Sequence, residues 1–265
     1  MNIEQATGPG VGFWLTERLR AWGIDTLTDV QKRALAAGIA DGRSMIVSAP
    51  TSSGKTLVGE IAVLAALRTG LRAIYLVSHK ALADQKYSDF ISRFGESAAD
   101  PIASVGLNTG DRAEGDIGAQ LMVATYEKAL GLIISGQIKP VDALVVADEL
   151  QILGERGRGP EIETLCAVFR QRGIKQFVAL TATVENPQDL AGWMGCELVQ
   201  SFHRDVPLYQ QIWYSKRIFQ FTFGEDEGQE LDHKMVPSNE VSDVVRQLLD
   251  IGRGPVLVFT ESRRE

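Results

Sequence analysis

Short runs of consecutive apolar residues alternate along the chain with longer stretches whose apolar positions recur every three or four residues. The runs SMIVSAP, RAIYLVS, ASVGLNTG, QLMVATY, DALVVADE and QFVALTAT, lying between Ser44 and Thr183, have the length and apolar content of strands buried on both faces. Between them, residues 55–68, 81–94, 126–134 and 161–172 carry apolar side chains at helical spacing. Strands that alternate with helices predict an α/β fold, a mostly parallel sheet with helices on both faces. After Val206 the pattern changes. PLYQQIWY and RIFQFTFG predict an antiparallel pair, residues 239–251 a helix, and PVLVFTES one further strand. The expected organisation is one domain over 1–205, a hairpin linker over 206–238, and the beginning of a second α/β domain over 239–265.

Two sites on this framework carry chemistry. Ala49 to Thr56, APTSSGKT, sits between an apolar run and an amphipathic stretch. A tight loop at a helix N-terminus aims backbone N–H groups and the positive end of the helix dipole at phosphates. Thr51, Ser52, Ser53 and Gly54 then form the cradle, Lys55 reaches the β- and γ-phosphate oxygens of ATP, and Thr56 ligates Mg²⁺. The spacing is that of GxxxxGK[ST] with Ala49 in the place of the first glycine. Asp148 and Glu149 close the run ALVVA. An aspartate leaving a neighbouring strand can hold Mg²⁺, and the adjacent glutamate can polarise an attacking water.

Composition narrows the class. The 265 residues are 45% hydrophobic and 23% charged, enough to bury a full core in one large domain or one and a half. No apolar run approaches the length of a membrane span, and MNIEQATGPG lacks the layout of a signal peptide, so a cytoplasmic protein without a membrane partner is expected. Cys166 and Cys196 stand apart without histidines at metal spacing, so they read as core residues. His79, His203 and His233 read as solvated or capping groups, and Trp193 and Trp213 as packing residues. A net charge of −7 argues against a broad basic face for nucleic acid, although the acidic stretch 224–232, GEDEGQELD, lowers that total as a solvated loop.

With these motifs in place, the chain resembles the superfamily 2 helicases, in the DExH-box branch that includes the Ski-like and archaeal repair helicases. The resemblance runs from Trp14 to Arg264. APTSSGKT is similar to motif I, DELQ (Asp148 to Gln151) to motif II, and TAT (Thr181 to Thr183) to motif III; LGERGRGPEIETL and VENPQDLAGWMG continue them in family-like fashion. LTDVQKRAL resembles the Q motif, which implies that Gln31 reads the adenine edge. Trp14 lies upstream, where either base packing or helix packing suits it. KALADQKYSDF, NTGD and VATYEK resemble the motifs that grip a nucleic-acid backbone, implying contacts from Lys80, Ala81, Thr109, Gly110, Thr125 and Lys128. Lys86, Arg156 and Arg158 read equally as solvated charges.

What the resemblance implies is a RecA-like P-loop NTPase domain of an ATP-dependent helicase. Lys55, Asp148, Glu149 and Gln151 do its chemistry, Thr181 and Thr183 couple the two sites, and DNA or RNA is held as a single strand by its backbone. Departures are specific. Gln151 stands where the branch usually has histidine and cannot titrate, Thr181 replaces serine, and Ser78 and Lys80 replace a more typical proline and arginine. VLVFTESRRE resembles motif IV, the first strand of a second RecA-like domain, so the intact protein is expected to supply the rest of that domain as a partner. Its arginine fingers are worth roughly 10³ to 10⁵ in rate. The 265 residues alone are therefore expected to bind Mg-ATP yet hydrolyse it slowly. A nucleotide-switched binding module without unwinding is the alternative reading.

Overall fold

The computed structural model describes residues 2–204, 208–214, 217–222, 229–230, 240–252 and 254–259. Contacts divide the chain into two units, one up to residue 205 and one from residue 206.

In the first unit, helices α1 (Phe13–Ala21) and α2 (Asp29–Ala36) precede strand β1 (Met45–Ser48) and helix α3 (Lys55–Arg68). There follow β2 (Arg72–Val77), α4 (Lys80–Arg93), β3 (Val105–Asn108), the two-residue β4 (Ala113–Glu114), β5 (Leu121–Thr125) and α5 (Tyr126–Ile134). The unit continues through β6 (Ala143–Ala147), α6 (Gly159–Arg172), β7 (Gln176–Thr181), α7 (Pro187–Met194) and β8 (Glu197–Gln200). These strands form one sheet in the order β4-β3-β5-β2-β6-β7-β1-β8. All pairings are parallel except β3 with β4. This is the mostly parallel α/β sheet with helices on both faces that the alternation of apolar runs and helical stretches predicts.

Successive strand residues point to opposite faces, and both faces are covered. Val47, Tyr75, Val77, Val146 and Leu180 join a core built with α1 to α4. Ile46, Ile74, Leu76, Val145, Ala147 and Ala179 join the other, built with α5, α6 and α7. Every residue of α3 from Leu57 to Leu67 is buried. Glu60 is the one charge in that stretch, and a carboxylate there needs counter-charges. It has two: Arg93 donates to Glu60 Oε2, and Lys86 Nζ lies 3.8 Å from Oε1.

Cys166 packs in the second core, where burial pushes its thiol up to about 12, and partial burial pushes Cys196 up to about 11. Trp193 packs against that same core. Trp14 packs against the first core with the Arg68 guanidinium 4.9 Å over its ring, which is the helix-packing alternative.

In the second unit, β9 (Tyr209–Tyr214) pairs antiparallel with β10 (Arg217–Thr222), with Tyr214 opposite Arg217 and Tyr209 opposite Thr222. A short β11 (Gln229–Glu230) extends this sheet, and α8 (Val241–Asp250) follows. Residues 254–259 carry no strand, because among the described residues they have no ladder partner. Most of the acidic stretch 224–232, His233, the Trp213 side chain and residues 260–265 lie outside the described residues.

Candidate nucleotide and strand sites

Parallel strands all end on the same edge of a sheet, and in such sheets ligands bind at the carboxyl ends. The phosphate loop follows β1, Ser78 follows β2, Asn108 closes β3, Thr125 closes β5, Asp148 follows β6 and Thr181 closes β7. Segments far apart in the chain are thereby brought to one rim.

At the loop, Gly54 has φ +87°, and a Cβ there would lie 2.3 Å from Gln31 Nε2, so only glycine fits. Ser52 also sits in the left-handed region at φ 63°. The Q-motif residues brace this conformation. Gln31 Nε2 donates to Gly54 O at 2.9 Å, Gln31 Oε1 accepts from Thr28 N at 2.8 Å, and Thr28 Oγ1 donates to Ser53 O at 2.8 Å. Lys55, the first residue of α3, folds its Nζ onto Ala49 O and Pro50 O at 2.6 and 2.7 Å. Burial lowers its pKa, while the nearby Asp148 carboxylate opposes the shift.

Asp148 is fixed from three sides. Tyr75 Oη donates to its Oδ2 at 2.8 Å, the Glu149 N–H donates to its Oδ1 at 3.0 Å, and Tyr126 Oη donates to its backbone carbonyl at 2.7 Å. Burial raises its pKa above the ordinary carboxylate value, although the Tyr75 hydrogen bond and Lys86 both oppose that. Glu149 sits at φ 56° and accepts from the Ser78 hydroxyl. Gln151 Oε1 accepts from Ala182 N at 3.1 Å and from Thr181 Oγ1 at 3.4 Å. The glutamine that replaces histidine therefore spans motifs II and III without needing a proton to do so.

One cavity of about 470 Å³ is lined by Thr51, Ser52, Gly54, Lys55, Thr56, Asp148, Glu149 and Gln151, together with Leu82, Gln85 and Lys86. Ser53 is buried, and its Oγ has no hydrogen-bond partner. Thr183 is exposed and does not line this cavity.

One lining residue, Lys86, and one neighbour of the loop, Arg204, were hidden in the sequence. Lys86, grouped above with the backbone-gripping motif, faces this cavity rather than the strand cleft. It lies between Glu60 and the ring of Tyr75, whose centroid is 5.7 Å from Nζ. The signal was a lone acid, Glu60, inside an otherwise apolar helix, which demands a cation, and Lys86 shares the face of α4 that buries Ala83 and Phe90. Arg204 is the other neighbour. Its Nη2 donates to Thr51 Oγ1 at 2.9 Å, and its charge helps lower the Lys55 pKa.

Beside this cavity lies a wider cleft lined by Ser78, His79, Lys80, Gly110, Thr125, Glu127, Lys128 and Arg158. Four of the six residues assigned to backbone contacts thus meet there. Thr109 is buried, and its hydroxyl is used within its own turn, donating to Arg112 O at 3.2 Å. Ala81 is exposed in the first turn of α4 outside the cleft lining. Arg158 is no free surface charge: its Nε donates to Glu127 Oε1 at 2.8 Å and its Nη2 to Ser78 O. Lys80 pairs with Asp111 at the exposed rim. Among the described residues no cluster of three or more histidine, cysteine or acidic side chains is placed to hold a metal, and no helix is long and apolar enough to cross a membrane.

A family model described as DEAD/DEAH box helicase matches residues 28–190, a span that contains both the cavity and the cleft. Among curated proteins, the ATP-dependent DNA helicase Hel308 of Pyrococcus abyssi is 34% identical over 259 residues, 95% of this chain and 33% of that protein. The protein of the same name from Methanocella arvoryzae is 36% identical over 252 residues, 91% of this chain and 32% of its own length. That from Aeropyrum pernix is 33% identical over 260 residues, 95% and 34% respectively. The chain spans about a third of the length of the curated relatives it matches.

Proposed function

The chain belongs to the DEAD/DEAH box helicase family, and from that premise we propose that it is the ATP-binding motor domain of an ATP-dependent helicase that tracks one strand of DNA. The observation that supports this most strongly is the shared rim. Lys55, Thr56, Asp148, Glu149 and Gln151 line one cavity, and Lys80, Gly110, Thr125 and Lys128 line the cleft beside it. DNA is chosen over RNA because the relatives are named as DNA helicases. A cytoplasmic location goes with that substrate, and the organisation into a motor domain, a hairpin linker and the beginning of a second RecA-like domain belongs to the same reading.

Under this reading the loop N–H groups and Lys55 take the phosphates, and Gln31 offers its second amide N–H to the adenine edge while the first braces Gly54. The site fits Mg²⁺. The glycine-only cradle, the partnerless Ser53 hydroxyl and the buried Asp148 carboxylate suit a charged triphosphate with its ion, held by Thr56 and Asp148. When bound, the ion neutralises charge that develops on the β- and γ-oxygens. Glu149 polarises the attacking water, and Gln151 carries the state of the site to Thr181, with Thr183 next in line. The cleft holds phosphates through lysines, hydroxyls and N–H groups, contacts that do not read bases.

The test is binding to the 265-residue chain of a fluorescent ATP analogue with Mg²⁺, and of labelled single-stranded DNA. Both bind, and strand affinity falls as salt rises because phosphate contacts release counterions. Absence of nucleotide binding at millimolar analogue refutes the reading. For the intact protein, a strand-displacement assay separates a motor from a nucleotide-switched module, which binds DNA without displacing it.

A further inference from the structure

The parallel register of β2 and β6 pairs Leu76 with Ala147, and Asp148 N donates to Leu76 O at 2.9 Å. Both strands end there, β2 at Val77 and β6 at Ala147, so Ser78 and Glu149 lie just past two neighbouring strand ends. The side chains meet there: Ser78 is 2% exposed, and its hydroxyl donates to Glu149 Oε2. At the other end of the same residue, the Ser78 carbonyl accepts from Arg158 Nη2, and Arg158 also holds Glu127 across the cleft. Ser78 and Arg158 both line the cleft, and Glu149 lines the cavity. A single residue thus touches both sites, with its hydroxyl on one and its carbonyl on the other.

Glu149 is the part of this link with somewhere to go. Its backbone is left-handed at φ 56°, a conformation that costs a non-glycine residue free energy and persists only where its surroundings hold it. Its N–H is engaged by Asp148 Oδ1 and its carboxylate by Ser78, so the Ser78 hydroxyl fixes where that carboxylate points. Proline at position 78, the residue typical of the resembling family, has no hydroxyl to make this bond.

Resting on the reading of cavity and cleft as nucleotide and strand sites, we propose that Ser78 is a positioning residue that couples them. Its hydroxyl ties the Glu149 carboxylate to a peptide that the strand contacts, so strand engagement moves the water-polarising group and nucleotide binding moves the strand contact. A hydroxyl that merely satisfied the end of β2 would affect folding and leave the ligands independent.

Coupling of this kind is reciprocal and is read from binding alone. The Kd of a fluorescein-labelled single-stranded oligothymidylate for the 265-residue chain is measured with and without saturating Mg²⁺ and a β,γ-imido ATP analogue. In the wild type the two Kd values differ by about fivefold or more. In Ser78→Ala they agree within about twofold, while the Tm stays near the wild-type value. Ser78→Thr, which keeps the hydroxyl, keeps the difference. Equal coupling in wild type and Ser78→Ala overturns the proposal, as does a wild type that binds both ligands without coupling. A wild type that binds no nucleotide overturns the functional reading as well, which tells the two failures apart.

Discussion

Lys55→Ala lowers the affinity of the chain for Mg-ATP by roughly 10- to 100-fold, the worth of a charge-assisted contact to phosphate. The ammonium is the one lysine at the N-terminus of α3, and it rests on the carbonyls of Ala49 and Pro50, in the loop it would leave to meet a triphosphate. Burial has already lowered its pKa, so an anion in the cavity strengthens its charged form rather than competing with water for it. The fold does not depend on this residue, because the loop is braced separately by Thr28 and Gln31. Titration of a fluorescent ATP analogue, with a thermal melt as control, checks this. An affinity within twofold of the wild type at an unchanged Tm would place the phosphates elsewhere.

Arg93→Ala destabilises the first unit by about 3 kcal/mol, the scale for removing one partner of a buried pair. Glu60 is 3% exposed inside α3, so its carboxylate cannot turn to water when Arg93 is gone. Lys86 remains 3.8 Å away but is shared with the cavity. The Arg93 guanidinium also lies 5.1 Å over the Trp22 ring, and that contact disappears with it. Urea denaturation measures the loss, and a change below about 0.5 kcal/mol would contradict it.

Glu60→Gln supplies a pH signature for the same cluster. Burial raises the Glu60 pKa above its ordinary 4.5, although Arg93 and Lys86 pull the other way. The folded state therefore holds this proton more tightly than the unfolded state. The associated stability is fully present below the unfolded pKa and is lost as pH rises through the folded one. The wild-type advantage over Glu60→Gln accordingly shrinks from about pH 4 towards neutrality. A constant difference across that range would contradict the sign.

Much of this architecture was legible because it is local. APTSSGKT and DELQ each lie where an apolar run meets a polar turn, and a strand that ends there must deliver them to the sheet edge. The helices of the first 40 residues, α7 and the strand β8 were not legible: α1 is short with a mixed surface, and β8 is a four-residue edge strand with one fully buried position. Lys86, which reads as a solvated charge in the sequence, makes sense only with Glu60. Lys86 looks unremarkable alone on α4, and its ion pair with Glu60 forms across the packing of α3 against α4. The Ser78 link to Glu149 needed the register of β2 against β6, which no stretch of either strand contains. For PVLVFTES, an apolar run suggested a strand, yet a strand exists only where another pairs with it.

The most direct measurement is a crystal structure of the chain with Mg²⁺ and a non-hydrolysable ATP analogue. The triphosphate is expected on the loop between Ser52 and Thr56 with Lys55 Nζ turned from Ala49 and Pro50 onto it, and the ion between Thr56 and Asp148. Nucleotide bound away from that loop, or Lys55 still on the two carbonyls with a triphosphate present, would contradict the account.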